Sequence, residues 1–325
     1  PTPLERAINL SRELGIELYV KRDDIMSPAL GGNKARKLEF IIADVLRRNC
    51  DIVVTRGAVI SNFVRLTAAA TKIAGLDFYA VVTPPGDPRV QGNILLDLVL
   101  GGKLIYTSSR DEAEVVINKL VEGFKSRGRR PCIIPPGGAC ELGVLGYVLA
   151  ALEIMEQCYN YGFKPKYIVH ASGTGTTQAG LLLGFKLLGV EGVKVIGVSD
   201  GTSARVISEN VSRLFNATAN ILQVKYEITP DEVVIHEDPE LGNYGFVTRE
   251  VVETILMTAR HEGLILDPIY TGRAMYGLIK LVKKGFIEEK SDVVFIHTGG
   301  VPILFQYADE LAKYLDTSIE MRPAL

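Results

Sequence analysis

Lys166-Tyr167-Ile168-Val169-His170-Ala171 runs directly into Ser172-Gly173-Thr174-Gly175-Thr176-Thr177-Gln178-Ala179-Gly180. The first six residues suit a buried strand, and the apolar stretch that continues to Leu188 has the length of a helix. Strand, glycine-rich turn and helix make half of a βαβ unit. The order repeats downstream, with a strand over Val193 to Ser199 and a helix over Thr202 to Phe215. It also repeats upstream. Strands are expected at Asp51 to Thr55, Leu76 to Thr83, Lys103 to Tyr106 and Cys132 to Pro135, with helices at Val64 to Ala74, Gly92 to Leu100 and Asp111 to Gly123 between them. Such alternation predicts parallel sheets joined by right-handed crossovers. A long helix over Leu142 to Cys158 divides the two runs. The chain therefore reads as α/β with two domains, each an open, mostly parallel twisted sheet flanked by helices. The smaller is expected over residues 38–146, and the larger combines residues 1–37 with 147–325.

The flanking segments complete the pattern. Pro1 to Glu5 reads as extended, because residues before proline avoid helix. A helix to Leu14 and a strand over Glu17 to Lys21 follow. Asp231 to His236 begins an irregular region, and Leu264-Ile265-Leu266 is strand-like. Helices are expected around Thr248 to Glu262 and Gly272 to Lys284, and Asp292 to Ile296 is a last buried strand.

The 325 residues carry a formal net charge of −2, so nothing electrostatic favours nucleic acid or an anionic membrane. Four cysteines (Cys50, Cys132, Cys140, Cys158) show no CxxC spacing. That argues against a structural zinc site, and no metal is expected; it also indicates no disulfide framework. No apolar run reaches membrane-spanning length and no signal-peptide pattern is present, so the cytoplasm is the expected location. The chain begins at Pro1 without a methionine, which leaves room for missing N-terminal sequence.

Chemistry enters at five places. The loop Gly173, Thr174, Gly175, Thr176, Thr177 opens a helix, whose free N–H groups and positive dipole end suit an anion. It is neither GxGxxG nor a Walker loop, so a phosphate monoester fits better than a dinucleotide. Gly31-Gly32-Asn33-Lys34-Ala35-Arg36-Lys37-Leu38-Glu39 sets Lys34 at the mouth of a helix. On its own that lysine reads as a solvated surface residue. Arg56-Gly57-Ala58-Val59-Ile60-Ser61-Asn62-Phe63 opens another helix after a strand, and alone Ser61 and Asn62 read as caps. Tyr244 and Tyr270 lie in turn-rich stretches, where a tyrosine usually packs with its hydroxyl wet. Thr298 ends the last strand, where open α/β sheets place ligands; its neighbour His297 reads as a satisfied strand-end histidine.

Together these stretches resemble the family that contains D-cysteine desulfhydrase and 1-aminocyclopropane-1-carboxylate (ACC) deaminase. The likeness starts at GGNKARKLE and covers nearly the whole chain. The resemblance implies a fold-type II enzyme, similar to the tryptophan synthase β-subunit, using pyridoxal 5′-phosphate (PLP). It implies that Lys34 holds PLP as a Schiff base, with Asn33, Asn62 and Thr298 beside the cofactor and Gly173 to Thr177 around its phosphate. A hydroxyl at Thr298, unlike a carboxylate, would not hold the pyridine nitrogen protonated. Ser61 would face the substrate and assist proton transfer. Asn62 would touch the ring hydroxyl or the substrate carboxylate, and Tyr244 and Tyr270 would line substrate and cofactor. Ile60 and Phe63 stand where the family usually carries glutamine and histidine, which makes the substrate side less polar. Thr271 follows Tyr270 where ACC deaminases typically carry glutamate and desulfhydrases threonine. That residue, also placed at the substrate, leans the expected reaction toward β-elimination of D-cysteine to pyruvate, sulfide and ammonia. ACC deamination, a PLP-binding homologue without turnover, and a nucleotide-binding α/β protein remain alternatives. A small amino acid is the expected partner, and a homodimer is implied by resemblance alone.

Overall fold

In the computed structural model, residues 1–315 are described; residues 316–325, the end of the expected larger domain, lie outside them. In chain order the elements are β1 (Leu4–Arg6), α1 (Ile8–Leu14), β2 (Glu17–Lys21), α2 (Lys34–Arg47), β3 (Ile52–Ala58), α3 (Asn62–Ile73), β4 (Asp77–Thr83), α4 (Gly92–Val99), β5 (Lys103–Tyr106), α5 (Arg110–Lys125) and β6 (Pro131–Ile133). They continue with α6 (Glu141–Asn160), β7 (Tyr167–Ser172), α7 (Thr176–Leu187), β8 (Lys194–Ser199), α8 (Ala204–Ile221), β9 (Val234–His236), α9 (Arg249–Glu262), α10 (Thr271–Lys283), β10 (Asp292–Ile296), α11 (Val301–Gln306) and α12 (Ala308–Ala312).

Two sheets result. Four strands lie in the order β5-β4-β3-β6, all parallel. Six lie in the order β1-β2-β10-β7-β8-β9, parallel except for the β1–β2 pair. The central strands are buried on both faces, which is why Val53-Val54 and Val293-Val294-Phe295 read as continuous apolar runs. The chain leaves β2 for the smaller sheet and returns through α6, so both sheets aim the C-terminal ends of their strands at a shared cleft.

Helix α6 joins the two halves. By length and composition it is apolar enough to cross a membrane, contrary to the reading that no such run exists. In this structure Tyr147, Ala150, Ala151 and Ile154 of α6 are buried, and the helix packs on α7. The two approach closely because Gly180 and Gly184 lack side chains: a Cβ there would come within 2.4 Å of Tyr147 Cβ and 2.5 Å of Ala151 Cβ. Substituting either glycine would force the helices apart.

Three sequence expectations change. The irregular region contains a short edge strand, β9, pairing parallel to β8. Leu264-Ile265-Leu266 forms no strand; it is a connecting segment with Leu264 and Leu266 buried beneath it. Finally, Cys50 and Cys132, 82 residues apart in sequence, form a disulfide with Cα atoms 5.9 Å apart. Cysteine spacing cannot show this pairing. It arises because β6 lies beside β3, with Cys132 in register with Val53 and Cys50 just before β3. Cys140 and Cys158 are free.

Candidate active site

Lys34 is the first residue of α2. The turn before it is pinned by Arg65 of α3, whose guanidinium is fully buried. Arg65 donates to the carbonyls of Ala29 and Gly31, to Asn93 Oδ1 at 2.9 Å and to Asn62 Oδ1 at 3.4 Å. One side chain therefore fixes both the approach to Lys34 and the amide of Asn62. From the far side, Arg36 of α2 pairs with Asp23 at 2.7 Å and Glu153 of α6 at 2.9 Å. Lys21 pairs with the same Glu153, and Tyr147 donates to Asp23 Oδ2 at 2.6 Å. Those two cations hold the Glu153 carboxyl, despite its burial, down to about 2.

A cavity of about 310 Å³ opens between the two sheets. Of the residues singled out in sequence, it is lined by Asn33, Lys34, Ser61, Asn62, Phe63, Gly173, Thr174, Gly175, Thr177, Tyr244, Tyr270 and Thr298. Two others are not on its wall. Thr176 is buried at the start of α7, its hydroxyl 3.3 Å from that of Thr174. Thr271 is also fully buried; its hydroxyl donates to Asp267 Oδ2 at 2.6 Å and its N–H reaches the same oxygen at 2.9 Å. The expected direct contact of Thr271 with substrate is therefore corrected: it is the first residue of α10 and turns inward, while Tyr270 turns to the cavity.

Burial pushes the Lys34 amine down to about 8, partly opposed by the charge of Asp200. A far larger share of this amine is therefore unprotonated near neutral pH than in an ordinary lysine, and that share is able to attack an aldehyde. Its hydrogen bond to Asn33 Oδ1 (3.1 Å) continues through Asn33 Nδ2 to Thr177 Oγ1 (3.0 Å), which ties α2 to the glycine loop. The loop turns through Gly175 with φ of 81°, a left-handed conformation open to glycine, and α7 begins at the next residue. The N-terminal end of α7 therefore lies at the cavity wall, which Gly175 and Thr177 line. Ser61 is the N-cap of α3, accepting from Val64 N–H at 3.3 Å, so the capping role read from sequence coexists with a place on the cavity wall.

Tyr244 and Tyr270 share a hydroxyl–hydroxyl hydrogen bond. Burial pushes both phenols up, keeping them protonated. Arg273 clamps the Tyr244 loop by donating to the carbonyls of Leu241, Gly242, Asn243 and Phe246. Asp267 fixes Tyr270 by accepting its N–H at 2.7 Å. His297 is satisfied as read: Nε2 lies 3.1 Å from Ile265 O and Nδ1 accepts from Gly299 N–H at 3.3 Å.

Four charged cavity residues carry no role in the sequence reading: Lys37, Arg56, Arg110 and Asp200. Lys37 lies one turn after Lys34 on the same helix face, a spacing that could have flagged it. Its amine donates to Gly137 O at 3.3 Å, and burial with the neighbouring Lys34 charge lowers it well below a normal lysine. Arg110 and Asp200 carry no local signal.

Comparison with known proteins agrees with this geometry. Residues 1–299 match the family described as pyridoxal-phosphate dependent enzyme. A Pyrococcus horikoshii protein named "Putative 1-aminocyclopropane-1-carboxylate deaminase" is 40% identical over 97% of this chain and 94% of its own. A D-cysteine desulfhydrase of Serratia proteamaculans is 38% identical over 94% of this chain and 93% of its own. A solved structure described as an ACC deaminase homologue superposes with a TM-score of 0.88 at 40% identity, covering 97% of this chain and 94% of that one. PLP suits the residues present. A depressed amine stands ready for its aldehyde, and a helix N-terminus whose glycines keep side chains out of the way stands ready for its phosphate. The chain thus belongs to the pyridoxal-phosphate dependent enzyme family, as a member of its ACC deaminase and D-cysteine desulfhydrase group.

Proposed function

We propose that this enzyme eliminates the β-substituent of a small amino acid, with D-cysteine favoured: D-cysteine and water give pyruvate, ammonia and hydrogen sulfide. The observation that carries the choice is Thr271. Both its N–H and its hydroxyl are spent on Asp267 Oδ2 in a fully buried site. A glutamate in its place would set a second carboxylate against Asp267 away from water, which like-charge repulsion and desolvation oppose. The turn that presents Tyr270 is therefore built for threonine.

PLP, when bound here, supplies the electron sink for charge left at the substrate's Cα. The chain's own groups do the rest. Lys34 would hold the cofactor through its aldehyde, and its amine, when free, would take the Cα proton. Ser61 and Asn62, at the N-terminus of α3, hold the substrate carboxylate. Of the two bonded phenols, the one that accepts keeps its own O–H free, so the pair offers one proton outward, toward the departing sulfur. Asn33 keeps the glycine loop in register with α2. Phe63 makes its part of the cavity wall apolar and disfavours larger polar side chains, whereas Ile60 is packed in the core and does not reach the wall.

The test is a panel of D-cysteine, L-cysteine and ACC, scored for sulfide, pyruvate and 2-oxobutyrate. Sulfide and pyruvate from D-cysteine are expected. Product from ACC alone would overturn the substrate choice, and colour without product from any of the three would favour a binding protein without turnover.

A further inference from the structure

Asp200 is the only carboxyl group lining the cavity among the described residues. It directly follows β8 and is 7% exposed. Its Oδ1 accepts the Thr202 N–H at 3.1 Å, whereas Oδ2 has no hydrogen-bond partner among the described residues. That free oxygen lies against the glycine loop: a Cβ on Gly173 would come within 2.1 Å of it. The next residue, Gly201, abuts the tyrosine loop, where a Cβ would come within 2.3 Å of Tyr244 N. Asp200 is thus clamped between the loop that would hold phosphate and the loop that presents Tyr244.

A group able to become an anion therefore sits at the edge of a site suited to another anion. The charged groups facing it are Lys34 of α2 and Arg273 of α10; Tyr244 and Tyr270 face it as neutral phenols. Burial already raises the Asp200 carboxyl against its hydrogen bonds from Thr202 and the weaker pull of those two cations. A phosphate dianion on Gly173 to Thr177 would add a like charge beside it, and neighbouring like charges out of water resist joint ionisation.

We propose that Asp200 carries a proton whenever a phosphate-bearing cofactor occupies the glycine loop, so that capture of the cofactor takes up one proton at this carboxyl and weakens as pH rises. The balance is one carboxylate, one proton and one phosphate dianion giving one carboxylic acid beside the bound dianion. The inference goes beyond the elimination reaction and does not depend on it; it rests on the loop being the phosphate site.

Competition on the holoenzyme tests it. Full-length enzyme loaded with PLP is equilibrated with excess pyridoxal, which has the same aldehyde and no phosphate. The fraction of phosphate-bearing cofactor retained is read by phosphorus NMR. The range runs from about pH 7 to about pH 9.5, where the monoester is already a dianion. Both ligands use Lys34, so its own titration cancels in the ratio. In the wild type the preference for PLP over pyridoxal should fall with rising pH, approaching about tenfold per pH unit for one linked proton. In Asp200→Asn and in Asp200→Ser it should stay flat. Pyridoxal binding by each variant reports that its site is folded, and two variants guard against one failing to fold. A wild-type preference that does not change with pH, or the same slope in the variants, overturns the proposal. No preference for PLP at any pH would instead show that the loop is not the phosphate site.

Discussion

Around α2 the charged side chains are buried and bonded: Arg36 to Asp23 and Glu153, Lys21 to Glu153, Arg65 to two carbonyls and two asparagines. At the α5 side of the same cavity, Arg56 and Arg110 reach the wall from the surface. Arg56 is held only through its Nε, by Glu114 at 2.6 Å, and Arg110 has no ion pair among the described residues. The contrast separates two tasks. A lysine that must meet an aldehyde and then a Cα proton needs a fixed position, because small misplacements cost rate steeply. A rim that admits substrates and releases products needs access more than precision.

Lys34→Ala attacks the fixed end and should have the largest effect. Wild-type protein with PLP should be yellow; the variant should lose that visible band and at least about 10³-fold of turnover, since anchor and proton carrier go together. Absorbance spectra with a D-cysteine assay decide it, and circular dichroism should show the fold intact. A variant that kept the band would place the anchor elsewhere. Arg36→Ala comes next, and its effect falls on stability. It leaves Asp23 and Glu153 facing each other without their shared cation inside the protein. Removing one partner of a buried pair costs about 3–5 kcal/mol. Denaturant unfolding should show a loss of that order, while a loss below about 1 kcal/mol, the range of surface pairs, would mean that the network is not a framework for α2.

The glycine loop is legible in the amino-acid sequence because its signal is local: glycines, hydroxyls and a strand-to-helix switch stand within a few residues of one another. Lys34 and the Ser61–Asn62 turn read alone as a surface lysine and a pair of caps, and only the family resemblance raises them. The alternation of strands and helices likewise points to two parallel sheets, since periodicity reports burial directly. Long-range packing is not legible in that way. Nothing near Arg65 or Arg273 says that these guanidiniums bind loops tens of residues away, and nothing near Asp200 says that it meets Gly173. Thr271 shows a related limit. Adjacent residues at a helix start point in different directions, so a residue beside a cavity tyrosine need not touch the cavity. Its influence runs through Asp267, which binds the N–H groups of Ile269, Tyr270 and Thr271 together.

The smallest effect is expected at the rim, and it sharpens the comparison most. Arg56 and Arg110 are wet, and Glu114 already offsets one of them, so neither should support the fold or the proton transfer. What they can do is raise the local concentration of an anionic amino acid at the mouth, an effect that salt screens over about 8–10 Å. Arg56→Gln and Arg110→Gln should therefore lower kcat/KM by a few-fold, leave kcat unchanged, and blunt the dependence of kcat/KM on ionic strength. Steady-state kinetics at low and high salt separate the cases. A fall in kcat for either variant would mean that the guanidinium works on the reacting substrate, and that the fixed machinery extends from α2 across the cavity to the face of α5.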